Sequence, residues 1–267
     1  MGIKCKESIV IKTQDEFHAV DKIATGFAFD IQNTLGRFCD EKIYKEVMAL
    51  KCNEASIRAQ KEVEIIVAYK DFRKIYKLDL LLNSGVVYEL KAVKALNNTH
   101  KQQLINYLLL TGLKHGKLLN FRSSSVECEY VSTSLTHKDR YDVNIDLSQF
   151  IESSDKCRAL VNTTGNFLQE WGAYLDCKLY NAGLIHFLGG QEHVIGTVDI
   201  IFENKLVGKQ KMQLLDNQAV FHLSSINKST ESYENNIKRL IKHTNINTVQ
   251  WINFNKNNII LKTIKKK

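Results

Sequence analysis

Apolar positions along this chain change period several times, and each change marks an element. Thr13-Gln14-Asp15-Glu16 has the form of a capping box, and Ile23, Phe27, Ile31 and Leu35 recur behind it at helical spacing. A second helical run carries Glu41, Tyr44 and Met48. From Val63 the pattern is that of strands: Val63 to Tyr69, Ile75 to Leu82, a turn at Asn83-Ser84-Gly85, then Val86 to Val93. Asn97 to Gly112 predicts a helix, with Asn98 or Thr99 as cap and Gly112 as stop. Short strands follow at Lys117 to Phe121 and Val126 to Val131. The order is helix, three strands, helix, two strands.

A polar stretch, Ser132 to Ser154, is expected to be a linker, after which the order recurs. Asp155 can cap a long helix through Phe167, Trp171 and Leu175. Strands are expected at Val194 to Phe202, Lys205 to Leu215, Ala219 to Leu223 and Thr248 to Phe254, with a helix over Ser229 to His243. A shift of 133 residues lays Asp79–Arg122 on Met212–Asn255 without a gap. Under it Leu81-Leu82 meets Leu214-Leu215, Val87-Tyr88-Glu89-Leu90 meets Val220-Phe221-His222-Leu223, and Asn120-Phe121 meets Asn253-Phe254. Asp40-Glu41-Lys42-Ile43-Tyr44 matches Asp176-Cys177-Lys178-Leu179-Tyr180 at a slightly different offset. Shared order and ungapped matching predict a tandem duplication.

Composition narrows the picture modestly. A net charge of +8 over 267 residues favours a polyanionic partner without requiring one. The basic end, Lys262-Thr263-Ile264-Lys265-Lys266-Lys267, is expected to be a solvated, frayed terminus. None of the six cysteines lies in a C-x-x-C pair or at zinc-finger spacing. No secretory signal is visible after Met1, and Leu104 to Leu113 is too short to span a bilayer, so a cytoplasmic protein with reduced thiols and no membrane association is expected.

Charge on the central strands is the most informative chemistry. A three-residue turn at Asn83-Ser84-Gly85, with the glycine left-handed, pairs Leu82 with Val86, Leu81 with Val87 and Asp79 with Glu89. Opposed residues share a face about 5 Å apart, and Lys91, two beyond Glu89, joins them. The other face is wholly apolar: Leu78, Leu80, Leu82, Val86, Tyr88 and Leu90. Two neighbouring carboxylates repel, and a divalent cation reverses the sign of that interaction. Lys91 could then orient or activate an attacking water, or steady charge on a phosphate. A carboxylate–lysine ion pair at a sheet edge is the simpler use of the same charges. On the next helix Gln103 and Tyr107 are four residues apart and share a face suited to a base, a phosphate or a metal-bound water. His100 lies one turn before them and alone reads as a surface histidine.

Together Asp79, Glu89-Leu90-Lys91 and Gln103-x-x-x-Tyr107 resemble the PD-(D/E)XK nuclease superfamily, with the Q-x-x-x-Y helix of its RecB-like branch. More narrowly, residues 15–131 are similar to the GxxExxY family. The segments that carry this are Leu35-Gly36, Glu41-x-x-Tyr44, Tyr88-Glu89-Leu90-Lys91-Ala92, His100-x-x-Gln103-Leu104-Ile105-Asn106-Tyr107-Leu108 and Leu118-Leu119-Asn120-Phe121. The resemblance implies an α/β (α+β) fold with a restriction-endonuclease-like αβββαβ core, here duplicated in tandem. It implies Asp79 and Glu89 as ligands of Mg²⁺ or Mn²⁺, Glu41 as an assisting acidic ligand and Lys91 as the catalytic lysine. Two positions depart from the pattern: Phe38 stands for the Gly expected three before Glu41, and Leu78 for the Pro before Asp79.

In the second half the corresponding positions are Met212, His222 and Ser224, with Cys177 for Glu41, an asparagine for Gln103 and Leu240 for Tyr107. The expected organisation is therefore an intact nuclease-like domain over 1–131, a linker over 132–154, and a degenerate repeat over 155–267 acting as a pseudo-dimeric partner. The expected activity is metal-dependent hydrolysis of DNA. The rival reading is a nuclease-like fold that binds nucleic acid or protein without cutting.

Overall fold

The computed structural model describes residues 2–266. Two compact units divide the chain, Met1–His137 and Lys138–Lys267.

In the first unit β1 (Ile3–Cys5) is followed by α1 (Gln14–Leu35), α2 (Glu41–Glu54), β2 (Ala59–Tyr69), β3 (Phe72–Leu82), β4 (Val86–Lys91), α3 (Asn98–Thr111), β5 (His115–Asn120) and β6 (Glu127–Ser132). The strands form one sheet in sequence order, antiparallel except for β4 and β5, which are parallel. That parallel pair needs a crossover, and α3 supplies it.

Thr13 caps α1 as read, exchanging hydrogen bonds with Glu16 in a full capping box. The buried face of α1 differs from the one expected. It is Phe17, Asp21, Ala24, Ala28, Ile31 and Gln32, whereas Ile23 is 48% exposed. Small Ala24 and Ala28 let the helix join a core with Tyr44, Met48, Leu80, Leu82, Val86, Tyr88 and Leu90. The apolar strand face read from the hairpin is thus the face the helices cover. Asn97, one residue earlier than expected, caps α3, and its box partner is His100, whose Nδ1 accepts the Asn97 N–H at 3.2 Å.

The β3–β4 hairpin has the expected register, Leu82 opposite Val86 and Leu81 opposite Val87, but its turn is built differently. Asn83 and Ser84 are left-handed (φ 45° and 58°), and Gly85 is not. Glycine is needed at 85 for space: a Cβ there would lie 2.3 Å from the Val10 carbonyl oxygen and 2.6 Å from Lys12 Cγ. The Val10 N–H donates to the Ser84 carbonyl at 2.8 Å, which holds the segment before α1 against the turn.

The second unit contains α4 (His137–Tyr141), β7 (Asn144–Gln149), α5 (Asp155–Trp171), α6 (Cys177–Phe187), α7 (Gln191–Val194), β8 (Ile195–Phe202), β9 (Lys205–Leu214), β10 (Ala219–Ser224), α8 (Thr230–Lys242), β11 (Thr248–Asn255) and β12 (Asn258–Lys265). Its sheet runs β7-β12-β11-β10-β9-β8. Two expectations are revised here. Residues 132–154 are not simply a connector, because they include α4 and the edge strand β7, which pairs parallel with β12. The basic end is not a frayed tail as far as Lys265, because β12 pairs with β11 over its whole length and buries Ile259, Leu261 and Ile264; Lys267 lies outside the described residues. Ser154, not Asp155, caps α5, and that helix stops at Trp171.

The two sheets share their pairing. Under a shift of 133 residues, Tyr69↔Phe72 becomes Phe202↔Lys205, Leu81↔Val87 becomes Leu214↔Val220, Val87↔Gly116 becomes Val220↔Val249, and Leu119↔Cys128 becomes Ile252↔Leu261. A register shift at Ile200/Ile201 interrupts the β8–β9 pair. Upstream details also repeat. Gly36 and Gly172 close α1 and α5 with nearly identical backbones (φ 71°, ψ −164° and φ 72°, ψ −174°). Tyr44 donates to the Gly36 carbonyl at 2.8 Å, and Tyr180 to that of Gly172 at 2.5 Å. Each tyrosine stacks on the aromatic residue at the end of its central strand, Tyr44 on Phe121 and Tyr180 on Phe254.

Candidate active site

The β3–β4 ladder ends at Leu80↔Tyr88, and the charged residues begin one position beyond it. There the Asp79 carboxylate takes over the role of a backbone acceptor: its Oδ2 accepts the Leu90 N–H at 2.9 Å. Its Oδ1 accepts Lys45 Nζ at 2.8 Å. Asp79 is 9% exposed and Glu89 1% exposed. Lys91 Nζ donates to Glu89 Oε1 at 2.5 Å, and Glu89 Oε2 is buried without a hydrogen-bond partner. Glu41 is the first residue of α2 and feels the charges of Lys91, Asp79 and Lys45.

Electrostatics follow from this crowding. Burial, then repulsion from Asp79, pushes the Glu89 carboxyl up to about 8. Burial also raises Glu41, with the Asp79 charge adding to it against the pull of Lys91. Burial works against the Lys91 ammonium, but Glu89, Glu41 and Asp79 outweigh it and hold that group above the ordinary lysine value. Glu41, Asp79, Glu89 and Lys91 thus feel one another's charge.

Gln103 and Tyr107 lie on one face of α3, with Gln103 Nε2 donating to the Tyr107 hydroxyl at 2.9 Å. Tyr107 is buried, and its hydroxyl is pushed up to about 12, by burial first and the Glu89 charge second. That coupling places the α3 face within electrostatic reach of the carboxylates. His100, committed to the cap of α3, stands outside the cluster.

Two participants are missing from the sequence reading. Lys45 is buried between Asp79 and Glu62, bonded to both, and these carboxylates overcome the cost of burial to raise its affinity for a proton. Its spacing of four from Glu41 on α2 was the available signal. Glu62 carried none. It occupies the register slot opposite Asp79, between Lys61↔Leu80 and Val63↔Leu78, with a left-handed φ of 52° inside a strand. A non-glycine residue held there stores strain of order 1–3 kcal/mol, and such strain clusters at functional sites.

The donor set suits a small, hard cation. The carboxylates offer oxygen, and Glu89 Oε2 is a buried acceptor that nothing else satisfies. Among the described residues no three His, Cys, Asp or Glu side chains form a ready-made metal cluster.

The corresponding place in the second unit has no carboxylate. His222 Nε2 and the Tyr233 hydroxyl share a 2.6 Å hydrogen bond, and burial lowers the imidazole below its ordinary value by disfavouring its charged form. Ser224 Oγ donates to Asn253 Oδ1 and accepts Trp251 Nε1–H, each at 2.8 Å. Met212, His222 and Tyr233 line a cleft of about 570 Å³ with apolar residues of β10 and α8. Cys177, in the place of Glu41, is pushed up to about 12 by burial and is an inert thiol.

The mixed α/β architecture, with its αβββαβ order around a parallel central pair, is consistent with a PD-(D/E)XK nuclease-like fold. Residues 18–131 match the sequence model of the PD-(D/E)XK nuclease superfamily. No curated protein and no solved structure matches the chain. Among the described residues no helix is long and apolar enough to cross a membrane.

Proposed function

We propose that this protein is a metal-dependent nuclease that hydrolyses phosphodiester bonds of DNA. The observation that carries this reading is the gathering of Asp79, Glu89 and Lys91 at the end of β4, within electrostatic reach of Glu41 and with one Glu89 oxygen buried and unpartnered. Mg²⁺ or Mn²⁺ held by Asp79 and Glu89, with Glu41 assisting, would supply positive charge at the scissile phosphate. The remaining work belongs to the chain. Lys91 Nζ, anchored on Glu89, orients the nucleophile and offers charge to the phosphate oxygens. Gln103 and Tyr107 present an amide and a hydroxyl to the strand from α3. The family match to residues 18–131 supports this reading, and the motif spacing supports the GxxExxY, QxxxY-bearing branch.

The second unit is, on the same proposal, a duplicated copy that kept the scaffold and lost the chemistry. Shared register, the paired Gly36/Gly172 closures and the paired Tyr44/Tyr180 stacks support duplication. It would serve as an inactive partner within one chain.

The test is cleavage of linear, circular, single-stranded and branched DNA with Mg²⁺, Mn²⁺ or chelator. The expected outcome is metal-dependent cleavage that Asp79→Ala and Lys91→Ala reduce by at least about a hundredfold, the scale of one electrostatic group. Absence of cleavage of every substrate by the unmodified protein would leave only the binding role.

A further inference from the structure

The loop between α1 and α2 shows an aromatic ring to solvent. Phe38 is 75% exposed, the most exposed of the large apolar side chains among the described residues. Two guanidiniums flank it: Arg37 Cζ lies 5.2 Å and Arg122 Cζ 5.5 Å from the ring centroid. Both arginines are themselves exposed, and neither enters an ion pair among the described residues.

Their attachment to the site is short and rigid. Phe38 precedes Glu41 by three residues, a span of about 10 Å at most. The intervening Cys39 N–H is held by the Tyr44 hydroxyl at 3.1 Å. Arg122 follows Phe121, whose N–H donates to the Lys91 carbonyl at 2.9 Å, and the Arg122 N–H is fixed by Asn120 Oδ1 at 3.2 Å. Thus the aromatic ring is tethered to one candidate metal ligand, and one of its arginines to the candidate catalytic lysine.

The scaffold does not require this arrangement. In the second unit the same loop, between the same Gly172 closure and the same Tyr180 stack, carries Ala173 and Tyr174 where the first carries Arg37 and Phe38. Ala173 is buried, Tyr174 is half-buried and bonded to Asn257 Oδ1, and Asn255 stands for Arg122. Where the carboxylates are gone, the exposed ring and both cations are gone too.

We propose that Arg37, Phe38 and Arg122 form a platform for an unpaired nucleotide of the substrate strand. Phe38 stacks on a base, and the guanidiniums take the flanking phosphates or extend the stack. An exposed ring offers stacking to any base whose face is free, and paired bases inside a duplex have none free. The platform therefore assigns this nuclease to substrates with a single-stranded segment at the cut. This rests on the nuclease reading of the adjacent site.

The experiment measures binding apart from cleavage. Fluorescence anisotropy is recorded with labelled oligothymidylate, oligouridylate and a blunt duplex, in chelator. Phe38→Ala, Phe38→Trp, Arg37→Ala/Arg122→Ala and the exposed-residue control Leu50→Ala are compared with the unmodified protein, circular dichroism confirming the fold. Phe38→Ala should weaken oligothymidylate binding roughly tenfold, Phe38→Trp should restore it, and Leu50→Ala should leave it unchanged. The double arginine variant should also flatten the dependence of log affinity on log salt by about one. Equal oligouridylate binding would show that the platform reads the base and not the sugar; stronger binding of one would assign the preferred sugar to the same platform. Unchanged oligothymidylate binding by Phe38→Ala, an equal loss on the blunt duplex, or no single-strand binding by the unmodified protein each overturns the proposal. Cleavage surviving alongside any of these leaves the nuclease reading standing, whereas Phe38-dependent binding without cleavage removes the nuclease reading alone.

Discussion

Glu89 is a carboxyl under strong electrostatic pressure, and its behaviour with pH is calculable in sign. Its carboxyl sits near 8 when folded, against 4.5 ordinarily, because burial and the Asp79 charge disfavour the anion. Below about 4.5 the group is protonated in both folded and unfolded chains. Between there and about 8 it is protonated only when folded, so unfolding releases a proton and rising pH removes stability, by up to about 1.4 kcal/mol per unit. A divalent ion needs the anion and must displace that proton. In the range of about pH 6 to 8, Mg²⁺ affinity should therefore rise by up to about tenfold per unit and level off above it. Thermal-shift titrations of Mg²⁺ at several pH values check this, with Glu89→Gln expected to lose both the Mg²⁺ effect and the pH slope. A Mg²⁺ affinity constant across that range would mean that Glu89 is not a ligand. The residues in this argument were legible because strand alternation and a short turn are local: Asp79, Glu89 and Lys91 fall on one face by counting. Lys45 and Glu62 were not, because their positions depend on which side of α2 meets the sheet and on a left-handed residue inside β2.

Elements show the same division between local and long-range information. The capping box of α1, the β3–β4 hairpin and the α3 crossover were readable from neighbours in sequence. The Asn83–Gly85 turn was readable in register but not in cause. Gly85 was assigned the left-handed slot, yet what excludes a side chain there is Val10, far away in sequence. Gly85→Ala should consequently destabilise the protein by about 1–3 kcal/mol, the cost of forcing a methyl into a filled space, although no backbone angle forbids it. Urea denaturation measures the loss. A neutral substitution would mean that the segment carrying Val10 moves aside freely. The missed strands have a related explanation. Ile3–Cys5 is too short to show a period, and Asn258–Lys265 mixes lysines into a strand whose pattern is meaningful only once β11 and β7 lie on either side of it. Likewise, Ser132 to Ser154 looked like a linker because β7 is exposed and polar and gains its partner from the far end of the chain.

At the level of the whole chain, the two units can be compared position by position. Features present in both are the glycine closures, the tyrosine stacks and the pairing register. One further shared bond is informative: Asn120 Oδ1 accepts the Val93 N–H at 3.0 Å, and Asn253 Oδ1 accepts the Ile226 N–H at 2.9 Å. These bonds tie the loop after the central strand in each unit, so Asn120, although buried beside the site, is explained by architecture. Features present only in the first unit are Glu41, Asp79, Glu89, Lys91, Gln103 and Tyr107, with the Phe38 platform. If the second unit supplies no chemistry, Met212→Ala/His222→Ala should keep cleavage within about threefold of the unmodified protein, while breaking the His222–Tyr233 hydrogen bond costs about 0.5–1.5 kcal/mol of stability. Cleavage assays and denaturation on the same preparations read both quantities. A folded double variant that no longer cuts would place a working group in the cleft beside α8 and end the view of this unit as a silent copy. Retained cutting with reduced stability would instead give the second unit a structural part.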